Sequence, residues 1–267
     1  QAIANGKHVV TANKALLAVH GQTVFAAAQL QGVAVAYEGA VAVSLPIIKA
    51  LREGLTANRI EWVAGIINGT SNVILTRMRE DGVDFATALA EAQALGYAEA
   101  DPTFDIEGVD AAHKATLLAA NAFGMPVRFE QAQVEGIRTL QALDVECARQ
   151  LGFRVKLLGI ARRQAEGVEL RVHPALVPAQ HLLAQVDGSM NGVMVKGDAS
   201  GVTMYYGAGA GAEPTASAVI ADLVDVARLP AGAVAAQQRV PHLGFHPHAV
   251  DEQLAELPRA AVNTRHY

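Results

Sequence analysis

The chain has 267 residues, 51% of them hydrophobic and only 5% aromatic, with 21 basic against 26 acidic side chains for a net charge of −5. That length supports two modest domains or one large one, and that hydrophobic content excludes a disordered chain. The sign of the charge excludes the basic footprint of a nucleic-acid binder, no apolar run approaches the ~20 residues of a membrane span, and the single Cys147 excludes an intrachain disulfide or cysteine metal cluster.

In chain order, His8–Val10 reads as a short strand leading into Thr11-Ala12-Asn13-Lys14. A helix follows over about Thr23–Leu30, then a buried strand over Val33–Tyr37, so the chain starts as a piece of a parallel βαβ layer. Leu45–Leu55 reads as a helix with Pro46 in its first turn. Trp62–Ile67 is a strand running into Asn68-Gly69-Thr70-Ser71-Asn72, a polar cluster suited to the start of a helix that continues through Met78. Further helices are expected over Phe85–Leu95, closed by Gly96, and over Val109–Phe123, stopped by Gly124. Beyond Arg154 the period changes to strands. Two are expected over 155–161 and 168–172, joined at Gln164–Gly167, and two more over 193–195 and 202–206. A helix from Pro214 to about Arg228 precedes a proline-punctuated tail read as linker. No internal repeat or low-complexity tract is found.

The densest polar chemistry lies between Gly96 and Lys114. Four carboxylates in the loop, Glu99, Asp101, Asp105 and Glu107, feed a helix on which Asp110 and Lys114 stand four residues apart and share one face. An exposed pair at that spacing contributes only ~0.3–0.5 kcal/mol. The surrounding helix is mostly Ala and Leu, too apolar for a solvated surface, so a lysine held among carboxylates there is a candidate proton donor.

The segment Gly96-Tyr97-Ala98-Glu99-Ala100-Asp101-Pro102 through Asp110-Ala111-Ala112-His113-Lys114 resembles the signature of the homoserine dehydrogenases. The resemblance runs from about Gly6 to Arg228, with several motifs in the family's order. It implies a partial Rossmann-type cofactor domain (residues 1–37 and 207–228) around an inserted α+β catalytic and dimerisation domain (38–206), with 229–267 as linker. It also implies reduction of L-aspartate 4-semialdehyde to L-homoserine with NADP or NAD, in a cytoplasmic homodimer. Lys114 would be the proton donor, Asp110 would orient it, and Lys14 would lie near nicotinamide and substrate. Glu99 would hold the substrate's ammonium, and Asp105 with Asn68, Gly69 and Thr70 would complete the substrate site. Asn13, Gly209, Gly211 and Glu213 would border the cofactor. The backbone carbonyls of Glu38, Val41, Val43 and Leu45 would bind a monovalent cation, sodium; Gly39 stands there where many members carry Ala. Each segment also has a plainer reading: Lys14 as a strand-end lysine, and Asn68-Gly69-Thr70 as a helix cap.

Gly207-Ala208-Gly209-Ala210-Gly211 follows a strand and opens a helix, yet its third glycine comes one residue too early for G-x-G-x-x-G. The true fingerprint is expected before Gln1, because the chain opens and closes abruptly and reads as an interior piece. His242, His246 and His248 are read as solvated linker residues rather than metal ligands. Three alternatives stay open: a non-catalytic fragment or pseudo-enzyme of the same family, a related semialdehyde or amino-acid dehydrogenase, and the dehydrogenase half of an aspartate kinase fusion.

Overall fold

A computed structural model describes residues 1–229, Phe245 and 250–258. The three tail histidines, and most of the stretch read as linker, lie outside the described residues.

The N-terminal layer is β1 (Val9–Val10), α1 (Lys14–Leu30) and β2 (Val35–Ala36), with β1 and β2 paired in parallel. The helix begins nine residues before the expected Thr23. Its start is fixed by Asn13, whose side-chain oxygen accepts from the Leu16 amide at 3.0 Å. Lys14 therefore stands on the first turn of a helix rather than at a strand end. The next segment, expected as one helix, is a short α2 (Ile47–Lys49) continuing into a π-type turn at Ala50–Gly54.

The second layer is a six-stranded mixed sheet. Its strands are β3 (Ile60–Ile66), β4 (Gln133–Val134), β5 (Phe153–Arg163), β6 (Val168–Pro178), β7 (Met190–Gly197) and β8 (Gly201–Ala208), in the spatial order β4-β6-β5-β3-β7-β8. All neighbours are antiparallel except β4–β6. The four long strands expected from sequence are present, each extended at one or both ends. One sheet face is covered by helices α3 (Gly69–Asp81), α6 (Val109–Phe123) and α7 (Ala142–Gln150). The remaining helices are α4 (Phe85–Ala94), a single turn α5 (Thr103–Ile106) and α8 (Ala212–Ala227). β4, α5 and α7 are additions to the sequence reading. They are short or weakly amphipathic pieces whose packing partners, not their own periodicity, define them.

α6 is the axis of the molecule. Every residue from Asp110 to Phe123 is buried, because α1 packs on one side and β3, β5 and β6 on the other. The close crossing over β5 needs Gly159: a Cβ there would lie 2.9 Å from Ile67 Cδ1 and 3.2 Å from Ala115 Cβ. Tyr37, fully buried at the end of β2, stacks obliquely on Phe25 of α1 and donates its hydroxyl to Asn121 of α6, which joins the two layers. Desolvation pushes its phenol up to about 12.

Residues 250–258, read from sequence as linker, are laid against the second layer. Val168 exchanges backbone hydrogen bonds with Ala255 and Leu257, and the Asp251 amide donates to the Gly124 carbonyl. Among the described residues no helix is long and apolar enough to cross a membrane.

Candidate active site

Strand β3 ends at Ile66, and Asn68 begins α3, its side-chain oxygen accepting from the Ser71 amide at 2.8 Å. The same amide's Nδ2 donates to Asp105 Oδ1 at 2.6 Å and to Asp110 Oδ2 at 2.9 Å. One cap residue therefore ties the helix start to two carboxylates. Asp110 is buried in the first turn of α6, where the helix dipole favours negative charge. Its Oδ2 receives Lys114 Nζ at 2.7 Å and its Oδ1 pairs with Lys14 Nζ at 3.1 Å. Burial alone would raise this carboxyl, but the two ammonium groups and the hydrogen bonds from Lys114 and Asn68 outweigh it and hold it below the ordinary 3.8.

Lys114 Nζ also donates to the Ile67 carbonyl at 2.7 Å, so two fixed acceptors aim it at the strand end. Lys14 sits 5.9 Å from the Phe104 ring centroid, and Phe104 meets the buried His113 edge-on at 5.3 Å. Desolvation depresses the His113 imidazole, which also meets Phe129 edge-to-face at 4.3 Å. The side chain next to the lysine is thus part of the packing around it.

These groups surround a cavity of about 400 Å³ at the junction of the two layers. Ala12, Lys14 and Gly39 form the N-terminal wall, Asn68, Gly69 and Thr70 the helix start, and Asp105, Asp110 and Lys114 the charged floor. Gly209, Ala210 and Gly211 close the far side. The structure thus gathers Lys14, Lys114, Asp110, Asp105, Asn68, Gly69, Thr70, Gly209 and Gly211 in one place. The cavity lining does not include Glu99, which is exposed in the loop after α4, its carbonyl held by Gln93 Nε2 at 3.0 Å. Asn13 acts as the α1 cap, and Glu213 is exposed on the first turn of α8; neither borders the cavity. Of the four carbonyl residues only Val43 lines it. Glu38 is buried behind it, its carboxylate accepting from the Ile48 and Lys49 amides at 2.9 Å and its own amide donating to Asp222 of α8 at 2.8 Å. Desolvation pushes the Glu38 carboxyl up to about 7.

Sequence reading missed the Ile67 carbonyl and Ser189. A carbonyl ligand has no side-chain signature, and Asp187-Gly188-Ser189 reads only as a turn. Gly39 and Gly209 line the cavity at places where the chain packs too closely for a side chain. A Cβ at Gly39 would lie 3.3 Å from Ala12 Cβ, and one at Gly209 would collide with the Asn191 amide.

A parallel βαβ layer, an α+β layer and a lysine–aspartate–lysine cluster between them define a two-layer α/β fold with a charged site at the layer junction. The chain belongs to the homoserine dehydrogenase family. The model of homoserine dehydrogenase matches residues 46–224, and that of the homoserine dehydrogenase NAD binding domain matches residues 1–38. Homoserine dehydrogenase of Pseudomonas aeruginosa is 61% identical over the whole chain, and that of Neisseria gonorrhoeae 58%. The chain spans 61% of the length of each of these relatives. The crystal structure of a homoserine dehydrogenase from Thiobacillus denitrificans superposes with a TM-score of 0.93 at 64% identity, covering 98% of this chain and 60% of that one. A hyperthermophilic archaeal homoserine dehydrogenase solved in complex with NADPH matches at a TM-score of 0.72 and 27% identity, over 85% of this chain and 66% of its own.

Proposed function

We propose that this chain carries the catalytic part of a homoserine dehydrogenase, which interconverts L-aspartate 4-semialdehyde and L-homoserine with NADP or NAD. The observation that carries this reading is the Lys14–Asp110–Lys114 cluster at the floor of the cavity. The nicotinamide, when bound, supplies or takes the hydride. Reduction of an aldehyde leaves negative charge on its oxygen, and Lys114, aimed by Asp110 and the Ile67 carbonyl, is the group that stabilises and protonates it. Lys14 adds a second positive charge on the side nearer Gly39 and the cofactor edge. Asp110, shared by both lysines, orients them and offsets the mutual repulsion of their charges.

Asp105 has a carboxylate in the cavity that, among the described residues, accepts from the Asn68 amide and from no cation, which suits the substrate's α-ammonium. Glu99 joins it when the exposed loop after Gly96 folds down over the substrate. The N-terminus of α3, with Asn68, Gly69 and Thr70, offers donors to the substrate's carboxylate. Gly209 and Gly211, with Asn13 and Glu213 just outside the lining, border the cofactor. Residues 1–37 and 207–228 belong to the cofactor domain, a division supported by the packing of α8 on β1.

The Glu38–Leu45 segment is assigned to a sodium ion through the carbonyls of Glu38, Val41, Val43 and Leu45. Its oxygen-only donor set suits a hard cation, and the Glu38 side chain pins the loop to α2. The exposed, unpaired thiol of Cys147 accords with a reducing cytoplasm. The test is homoserine-dependent NADP or NAD reduction by the full-length protein, with Lys114→Ala alongside. The variant is expected to lower kcat by ~10²–10⁴ while still binding cofactor. An unimpaired Lys114→Ala enzyme would remove the lysine from the mechanism, and a folded wild type that binds cofactor without turnover would favour the pseudo-enzyme reading.

A further inference from the structure

Lys156 lies on β5, fully buried, outside the cavity. Its neighbours on the same strand face, Leu158 and Ile160, belong to an apolar cluster that would accept a leucine or methionine in its place. Burying an ammonium costs several kcal/mol unless its hydrogens are all used. Here they are: Nζ donates to the Val186 carbonyl, to Asp187 Oδ1 at 2.8 Å and to Asn72 Oδ1 at 3.2 Å. Burial by itself would depress this amine, and the Asp187 carboxylate works against that effect.

Asn72 sits in the first turn of α3, and its Nδ2 points into the Val186–Met190 loop. It lies 3.0, 2.9 and 3.4 Å from the carbonyls of Val186, Gly188 and Met190. Thr76, one turn later, accepts from the Gly188 amide at 3.1 Å. The loop so held delivers Ser189 to the cavity wall, where its carbonyl packs closely on Gly69, 3.0 Å from where a Cβ would stand. Asp187 does not need Lys156 for charge balance, since Arg79 and Arg154 also reach it at 2.8 and 3.2 Å. The third cation is therefore redundant as a counter-ion, and its distinct contribution is to the loop backbone and Asn72.

We propose that Lys156, acting through Asn72, is a positioning residue for the substrate site, holding the Val186–Met190 loop so that Ser189 closes the wall beside Gly69 and Thr70. The proposal rests on the homoserine dehydrogenase reading for what the wall encloses. It differs from a purely stabilising role in what it moves: substrate binding, with the chemistry at Lys114 and the cofactor edge left in place.

The experiment is Lys156→Met in the full-length protein, with steady-state kinetics and hydrogen exchange measured on the same preparations. The expected result is an L-homoserine KM raised about tenfold, with kcat within about threefold of wild type and the cofactor KM unchanged. Exchange at 186–190 should quicken while α6 stays protected, and Lys156→Arg should restore part of both. A folded Lys156→Met protein with unchanged KM and unchanged exchange in the loop overturns the proposal, whatever its melting temperature. If Lys156→Met does not fold, Asn72→Ala removes the donors to Val186, Gly188 and Met190 through which Lys156 is argued to act, and is judged by the same two readouts. A wild type without turnover counts against the enzymatic reading alone, because exchange in the loop still decides whether Lys156 holds it.

Discussion

Asp110 carries more of the site than any other single side chain, because its two oxygens serve Lys14, Lys114 and Asn68 at once. A carboxylate with a depressed pKa contributes stability that is complete above its unfolded value, near 3.8, and is lost as pH falls through the lower folded value. Wild type is therefore expected to lose stability steeply below pH 3.8, and Asp110→Asn to flatten that acid limb. Denaturant unfolding followed at a series of acid pH values measures this. A variant with the wild-type acid limb would show that Asp110 titrates normally. The variant should also lower kcat, since Lys114 and Lys14 then lose their shared negative charge and Lys114 keeps only neutral acceptors. This much was legible in sequence: the spacing of Asp110 and Lys114 on a helix too apolar for a solvated surface marked the lysine as a candidate proton donor. Asn68's link to Asp105 and Asp110 was not legible, because contacts spanning 37 and 42 residues leave no local pattern.

At the scale of elements, two features set the cavity: the tight crossing of α6 over β5 and the exposed loop between α4 and α5. At the crossing, Gly159→Ala would press a methyl against Ile67, whose carbonyl aims Lys114. The expected cost is ~1–3 kcal/mol of stability, with a fall in kcat beyond what the lost stability explains. Thermal unfolding and kinetics on one preparation separate the two, and unchanged kcat would mean that the strand end absorbs the shift. In the loop, Gly96 at φ +76° starts a stretch whose acids face solvent. If Glu99 reaches the substrate by closure of that stretch, homoserine and cofactor together should slow amide exchange over 97–101, and Glu99→Gln should abolish the slowing. Exchange unaffected by ligands would leave Asp105 as the sole carboxylate for the ammonium. Strong periodicity made the long helices and strands readable in advance. The start of α1 was misread because Asn13 was weighed as a cofactor residue and not as the cap that it is, and α7 was missed because its definition comes from packing on α3 and β5.

Among the described residues, one face of the six-stranded sheet is left uncovered by the helices. Opposite α3 and α6, the sheet carries Trp62, Met194 and Met204 in one apolar cluster and exposes Val202, Tyr206 and, beside the Leu182–Gln185 turn, Leu182 itself. Exposed apolar side chains clustered on a sheet of this size mark an association surface more often than a solvated one. The alternation along β8 sends Tyr205 to the core and Met204 and Tyr206 outward, so a second copy meeting this face would bury both without disturbing the cavity. The full-length protein is accordingly expected to sediment as a dimer, and Met204→Glu with Tyr206→Glu to sediment as a folded monomer, because like charges buried at the centre of a two-fold contact have no partner to neutralise them. Monomeric wild type at micromolar concentration would instead assign the patch to another segment of the protein. The outcome also bears on the site. The Val186–Met190 loop runs from the turn that borders this face to the cavity wall, so loss of the dimer should raise the substrate KM if the two copies steady that loop, and leave it alone if Lys156 and Asn72 suffice.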